Sequence, residues 1–521
     1  MERIHKKSAL AETSSLLLAA RDVGAELLWG RSEQQLPLCA FTSNGLNCRK
    51  CFQGPCRINP FGDEPSRGIC GADRDQIAME NLFQATLEGV MESARAARLL
   101  GVGEADGEFP DIARHLPPKT AERLSKMGAL PVWRRDLFGV ENSFFSHKGY
   151  LSETLKDLVR LGLVHYGFLH QAASLLNRDG GRPGFQPEGI NILIVGRAPS
   201  GLVRAIQEQA AQHAGGKHFN LFAQGTHGLP STMPAADHGS PELALGMNVD
   251  ALIVAPNASW PAAEALSAKY GIPAILVHGQ SFDQAAAEVI EQADRHAQNA
   301  FYGPSGRTIQ PGSAEGASGL PREDDVKQAL QAGRIAGVAV LFGEANVKQT
   351  FFERTLTLMD AAIAQKALVL LGGDLGSQAE ALGAELGRRR GAPLAAFAAE
   401  LAKDGLRPVA PFGSAFELPA VVSLLDALRV ASGARPLPAV VAFPEFFRTS
   451  TWASAISMLS LGFTVQIGTR LPFWGSPWLA ELMRTEWQKI TGGTLLVAPA
   501  LPEPRAQAEE LAACLKAGNG R

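Results

Sequence analysis

Residues 47–73 read NCRKCFQGPCRINPFGDEPSRGICGAD. Four cysteines in this stretch are spaced Cys48-x2-Cys51-x4-Cys56-x13-Cys70, and Cys39 lies just ahead of them. The chain has six cysteines in all, and after Cys70 none occurs before Cys514. Short spacings in a turn-rich stretch let a chain wrap thiolates around one metal centre. Two readings follow. Tetrahedral zinc takes four thiolates and acts structurally, whereas a [4Fe–4S] cluster takes the same four and carries electrons. The uneven spacing favours the cluster, because zinc ribbons tend to repeat a short knuckle of two cysteines. Gly54-Pro55 and Gly71 suit a loop folded closely around sulfides, and Arg49, Lys50 and Arg57 offset negative charge.

The rest of the chain sets the context for that segment. At 521 residues it is too long for one ordinary core. A hydrophobic share of 46% and a charged share of 19% describe a globular protein. A net charge of -3 gives no global attraction for nucleic acid or an anionic membrane. The opening residues MERIHKKSALAETSS lack the apolar core of a secretory signal, and no long apolar run reads as a membrane span. A cytoplasmic location is the expectation, and in a reducing compartment clustered cysteines read as a metal site.

Residues 8–30, 74–101 and 146–178 carry helical apolar spacing, the last with Leu151, Leu155, Leu158 and Leu169 near one face. The Gly- and Pro-rich segment 180–189 is a boundary. Beyond it, short apolar runs alternate with helical stretches: NILIVG (191–196), FNLFA (219–223), DALIVAP (250–256) and PAILVHG (273–279). Residues 302–324 read as a linker or a surface excursion. The rhythm then restarts with VAVLFG (338–343), ALVLLGG (367–373), AVVAFP (439–444), FTVQIG (463–468) and TLLVAP (494–499). Such runs are buried parallel strands with crossover helices. The expected fold is multi-domain α + α/β. A helical domain bearing the cysteine loop (1–185) precedes two Rossmann-like doubly wound parallel-sheet domains (186–325 and 326–521).

The text NCRKCFQGPCRI, GICGAD and NLFQATLEG resembles the N-terminal cluster segment of nickel–iron carbon monoxide dehydrogenase catalytic subunits. That family belongs with the hybrid-cluster (prismane) proteins. The likeness continues in AFPEFFRTSTWASAISMLSLGFTVQIGTRLPFWGSP (442–477), where a Pro-Glu precedes a helix and a strand leads to a Gly-Ser-Pro turn. It is specific at 39–90 and diffuse beyond residue 190. The resemblance implies the same helical-then-Rossmann architecture and oxidoreductase descent. It also implies that Cys48, Cys51, Cys56 and Cys70 hold an electron-relay [4Fe–4S] cluster. Cys39 matches one of two ligands of a second, dimer-bridging cluster, but Asn47 stands at the other position.

The family's nickel–iron–sulfur active centre takes one histidine and five cysteines from both α/β domains. Here the histidine-bearing turn reads Val195-Gly196-Arg197-Ala198-Pro199. By approximate alignment the thiolate positions fall near Gln224, Asn257, Glu344, Asp374 and Ala415. Amides and carboxylates do not replace soft thiolates without changing the metal preference. A nickel–iron–sulfur cluster is therefore not expected. The helix EGVMESARAARLL lacks the family's histidines, and Ser450 stands near its catalytic lysine. The expected molecule is a carbon monoxide dehydrogenase-like redox protein with one [4Fe–4S] cluster per subunit. It would be a homodimer or pair with a related subunit, and serve a ferredoxin-like redox partner. The alternatives are an oxidoreductase with another cofactor in the interdomain cavity, or a structural or electron-transfer partner of a full-length homologue.

Lesser candidates carry ordinary explanations. His227, Asp237 and His238 lie in a loop after a strand, where open α/β sheets bind ligands, and could hold a harder metal or an anion with Glu344 or Asp374. The plainer reading is a polar loop. Gly196–Gly201 follows a strand but fits neither G-x-G-x-x-G nor a P-loop. Arg388–Arg390 reads as a solvated helix end, Cys514 as a lone thiol on an amphipathic helix. Trp452, Trp474, Trp478, Phe446 and Phe447 read as packing residues.

Overall fold

The structure is a computed structural model. It describes residues 6–22, 24, 26–59, 64–99, 102, 112–131, 151–175, 186, 188–195, 200–213, 216–224, 233–235, 249–254, 267, 268, 270–276, 281–299, 319–432, 438–471, 474–497 and 503–519. Helices α1 (Ala11–Asp22), α2 (Leu28–Gln34) and α3 (Ala40–Ser43) lead into the ribbon β1 (Asn47–Cys48) and β2 (Cys56–Arg57). Then come the long helix α4 (Arg74–Leu99), α5 (Pro118–Lys126) and α6 (Leu151–Ala173). Along α4 the buried residues Ala78, Leu82, Thr86, Val90, Ser93 and Ala97 recur at three- and four-residue steps, which makes one inward stripe.

A first sheet contains β3 (Ile190–Val195), β4 (Phe219–Gln224), β5 (Met233–Ala235), β6 (Ala251–Val254) and β7 (Ala274–Leu276). All its pairings are parallel, in the order β5-β4-β3-β6-β7. Helices α7 (Ser200–Gln212) and α8 (Phe282–Asn299) pack together and cover it, closing a core of its own around Ile192, Ile194, Ile206 and Val289.

The second sheet contains β8 (Gly337–Gly343), β9 (Ala367–Gly373), β10 (Val409–Gly413), β11 (Ala439–Phe443), β12 (Thr464–Ile467) and β13 (Thr494–Leu496). It is parallel throughout, ordered β10-β9-β8-β11-β12-β13. Renumbered from its first strand, that order is 3-2-1-4-5-6, the doubly wound Rossmann arrangement. Both α/β expectations hold. Strands β8 and β9 are buried along their whole length, as their unbroken apolar runs require of a sheet covered on both faces. The helices used below are α9 (Glu353–Ala364), α10 (Thr449–Ser460), α11 (Pro477–Thr491) and α12 (Pro504–Asn519).

Within the two α/β sheets, two strands escaped the sequence reading, β5 and β10. Each is a sheet edge and each contains a proline, Pro234 and Pro411. Proline cannot donate to a ladder, so a run that contains it scores poorly as a strand and survives only at an edge.

The helical region, the second sheet and one face of the first sheet (Leu193, Val195, Leu252) share one hydrophobic core, in which α10 packs against both α4 and α6. Residues Ser450 to Ser460 of α10 are all buried. Helices α4 and α6 cross it at glycines. A Cβ on Gly89 would lie 2.0 Å from the Thr449 carbonyl oxygen, and one on Gly162 would lie 2.5 Å from Ser460 Oγ. Polar bonds lock both crossings. Trp452 Nε1–H donates to Thr86 Oγ1 (2.8 Å). Ser457 Oγ donates to the Gly162 carbonyl (2.7 Å), so it accepts from His165 Nδ1–H (2.7 Å), and His165 Nε2 accepts from the Ser93 hydroxyl (2.9 Å). The N-terminus is tied to the same unit, since Ala9 N–H donates to the Phe351 carbonyl (2.8 Å) and Phe351 N–H to that of Lys7 (3.0 Å).

Gly162→Ala is expected to destabilise the protein by about 1–3 kcal/mol, the usual cost of overpacking. Gly383→Ala is the control, because its Cβ would meet nothing within 4 Å. That change should be neutral or gain up to about 1 kcal/mol from helix propensity. Urea unfolding midpoints of the two variants check the contrast.

Candidate metal centre

The ribbon places Cys48 directly opposite Cys56, and Asn47 opposite Arg57. Between the strands, Gly54 N–H donates to the Cys51 carbonyl (3.3 Å) and turns the chain back. A Cβ on Gly54 would stand 3.0 Å from Cys56 N and 3.4 Å from the Cys48 carbonyl oxygen, so the turn has no room for a side chain. Downstream, Gly68 N–H donates to the Ala72 carbonyl (2.8 Å) and Gly71 N–H to that of Gly68 (2.9 Å), which curls Cys70 toward the ribbon. The Ile69 N–H points at Cys56 Sγ, 3.5 Å away.

Helix α4 anchors this loop. Asp73 caps it, accepting at Oδ1 from Gln76 N–H (3.0 Å), while Gln76 Oε1 accepts from Asp73 N–H (3.0 Å): a reciprocal capping box. Two turns on, Asn81 Nδ2 donates to the Gly45 and Asn47 carbonyls (2.8 and 2.9 Å). Leu46, Ile58 and Ile77 form a small apolar floor. From α11, Ser476 Oγ reaches Asp75 Oδ1 (2.5 Å) and fixes the helix end.

The result is one recess lined by Cys48, Cys51, Cys56 and Cys70. Cys48 and Cys56 are half-buried, and Cys51 and Cys70 are exposed. Burial pushes the Cys48 thiol above its ordinary value, and the charge of Glu80 adds to that. Lys50 lines the recess, but Arg49 is exposed and Arg57 lies over the Phe41 ring, 5.2 Å from its centroid. Only one of the three cations read from the sequence therefore faces the thiols. Cys39 is exposed at the start of α3, outside the lining, where hydrogen bonds from Thr42 lower its pKa. Cys514 is half-buried on α12.

A second polar group sits at the ends of β8, β9 and β11, beside the switch point of the strand order, where open α/β sheets bind ligands. Glu344 and Asp374 are buried there. They converge on one cation: Arg448 Nη1 lies 4.0 Å from Glu344 and 3.8 Å from Asp374. Glu344 also accepts from the Thr451 hydroxyl and from Phe447 N–H (3.4 Å). Burial raises its pKa, the Arg448 guanidinium opposes that, and Glu92 on α4 adds to it.

Behind it lies Glu445, from the Pro-Glu of the quoted segment, which is wholly buried. It accepts from Phe352 N–H and the Thr355 hydroxyl (3.1 Å each). Burial pushes its carboxyl up to about 7, against the pull of these bonds and of Arg354. The sequence reading missed this role for Glu445. Its one signal was a charged residue directly after a strand whose neighbours are all apolar.

Of the remaining sequence candidates, Gly196–Pro199, His227, Asp237, His238 and Asn257 lie outside the described residues. Ala415 follows β10, and Ser450 is buried in the first turn of α10. The arginine run is paired: Arg388 with Glu385, Arg389 with Glu353 and Glu385, and Arg390 with Asp360. Trp452 and Phe446 are core, whereas Phe447 and Trp478 are exposed. Among the described residues, no three His, Cys, Asp or Glu side chains are grouped to hold a metal ion.

Comparison with known proteins places this geometry. A model of the Prismane/CO dehydrogenase family matches residues 46–121 and 259–501. Carbon monoxide dehydrogenase 2 of Carboxydothermus hydrogenoformans is 23% identical over 642 aligned positions, which cover 99% of this chain and 98% of that protein. Carbon monoxide dehydrogenase 1 of Methanosarcina acetivorans is 43% identical over 93 residues, 18% of this chain and 15% of its own. In fold, the chain matches carbon monoxide dehydrogenase IV from C. hydrogenoformans with a TM-score of 0.78 at 20% identity, covering 99% of both chains. It matches a Ni-free carbon monoxide dehydrogenase from Thermococcus sp. AM4 with a TM-score of 0.80 at 21% identity, covering 99% and 98%.

Glu445 gives stability a defined pH dependence. Its folded pKa of about 7 lies above the ordinary 4.5, so the folded state binds the extra proton between these values. Stability from this group is full below about pH 4.5 and falls as pH rises to about 7, by on the order of 3 kcal/mol. Glu445→Gln should flatten that part of the profile. Denaturant titrations from about pH 5 to 8 check this, and parallel profiles for the two proteins would contradict it.

Proposed function

The chain belongs to the Prismane/CO dehydrogenase family, and from that membership we propose that it is an iron–sulfur redox protein built on the family's electron-relay site without the family's active centre. The observation that carries this reading is the convergence of four thiols on one recess while the described strand ends present carboxylates.

The donor set suits a cluster better than a single ion. Zinc takes four sulfurs around one centre, but the uneven spacing of these four cysteines and the family membership favour a cluster. A cubane takes the same four thiolates spread over separate irons. A [4Fe–4S] cluster supplies one-electron storage. The chain's own residues do the rest. Gly54 and Gly68 leave space beside Cys56, Ile77 and Ala72 supply an apolar wall, and Ile69 N–H aims at the Cys56 sulfur. Exposed Cys51 and Cys70 put this edge next to solvent, where a redox partner has access.

At the strand ends, Glu344 and Asp374 are hard ligands, unsuited to nickel and sulfide. Arg448, within 4.0 Å of both, supplies the positive charge they need. This argues against carbon monoxide oxidation and against a hard metal between them. The same reading includes three domains (1–185, 186–325 and 326–521), a dimer with itself or a related subunit, and a cytoplasmic setting. No helix among the described residues is long and apolar enough to cross a membrane.

Anaerobic purification followed by iron, sulfide and nickel quantification tests the proposal, with EPR after dithionite reduction. About four iron per chain and no stoichiometric nickel are expected from the ligand count. Cys51→Ser and Cys70→Ser should lose the EPR signal, while Cys39→Ser and Cys514→Ser should keep it. One nickel per chain with CO-dependent dye reduction would overturn the reading. Zinc alone would overturn the redox role.

A further inference from the structure

Among the side chains that line the cysteine recess, only two are charged, Lys50 and Glu80. They form an ion pair, with Lys50 Nζ 3.1 Å from Glu80 Oε1. Lys50 sits between Cys48 and Cys51 in the loop, and Glu80 lies in the second turn of α4. The Lys50 side chain is 9% exposed and that of Glu80 is 25% exposed, so water screens neither fully. We propose that this pair sets the reduction potential of the centre held by Cys48, Cys51, Cys56 and Cys70. The inference rests on the cluster reading above.

The reasoning is electrostatic. Each one-electron reduction adds one negative charge to the recess. Lys50 favours that charge and Glu80 opposes it, and both act through a partly dry medium in which charges a few ångströms apart couple strongly. The pair is neutral as a whole, yet each member holds the other in place. Removing either unbalances the charge that the pair presents to the centre. Arg49 and Arg57 cannot substitute, because one is solvated and the other is drawn over Phe41.

A structural staple between loop and helix would behave differently. It would lower iron content or stability whichever partner is lost, without moving the potential in opposite senses. The charge role predicts signs. Glu80→Gln should raise the midpoint and Lys50→Gln should lower it, each by about tenfold in the reduction equilibrium, or about 59 mV for one electron. The double variant should return close to the wild-type value. Lys50→Arg and Glu80→Asp retain charge and should stay near wild type.

EPR-monitored redox titration of the anaerobically purified full chain tests this, with iron counted in every preparation. Opposite shifts with about four iron retained support the proposal. Unmoved midpoints, or shifts of one sign in both variants, overturn it and leave the cluster reading standing. Wild-type protein without iron overturns both. If Lys50→Gln takes up no iron, Glu80→Gln measured against Glu80→Asp decides: an upward shift supports the charge role, and equal midpoints reject it.

Discussion

The packing of the helical region on the second sheet depends on one almost wholly buried helix, α10. Residues Ser450 to Ser460 of α10 are buried on every side, although six of the twelve positions in the helix are serine or threonine. Buried hydroxyls are costly unless paired. Here Ser454 donates to the Ser450 carbonyl, Ser457 to Gly162, and Thr451 to Glu344. The small side chains let α4 and α6 approach through Gly89 and Gly162, and this close approach demands the hydrogen-bonded lock at His165. The segment entering α10 also delivers Glu445 and Arg448. The placement of the strand-end charges is therefore a by-product of how this helix packs.

Those charges follow from where they sit and what burial demands of them. Strand ends at the reversal of a doubly wound sheet form a crevice whatever side chains occupy them. Carboxylates there must find a cation or remain protonated, because burial without compensation costs too much. Glu344 and Asp374 both face Arg448. Glu445, facing donors that pull against its burial, takes a middle course near neutral pH.

Much of this was legible in the sequence. Nine apolar runs matched parallel strands because strands inside a covered sheet are mostly apolar, even where Asn191, Asn220 and Gln466 are buried within them. The two strands missed in the α/β sheets carried prolines and lie at edges. The cysteines pointed to their own convergence, since spacings of two and four residues in a turn-rich loop leave little freedom. Other features were not legible. Nothing in the spacing of Lys50 and Glu80 says they meet, as thirty residues and a change from loop to helix separate them. The sequence does not single out His165, and only the crossing with α10 shows that both its nitrogens are used. Arg448 gave no sign that it would reach back to two strands earlier in the sequence.

Helix α4 touches both ends of this arrangement. Near its start, Glu80 and Asn81 hold the cysteine loop. Twelve residues after Glu80, Glu92 adds its charge to the field at Glu344, and Ser93 meets His165. An α-helix rises 1.5 Å per residue, so the two groups of contacts stand about 18 Å apart along one rigid rod. One residue inserted or deleted between them would turn one set of contacts about 100° from the other. The helix therefore acts as a gauge of fixed length. Surface loops of this chain can lengthen or shorten freely, but the interval between residues 80 and 92 cannot change without uncoupling its two ends.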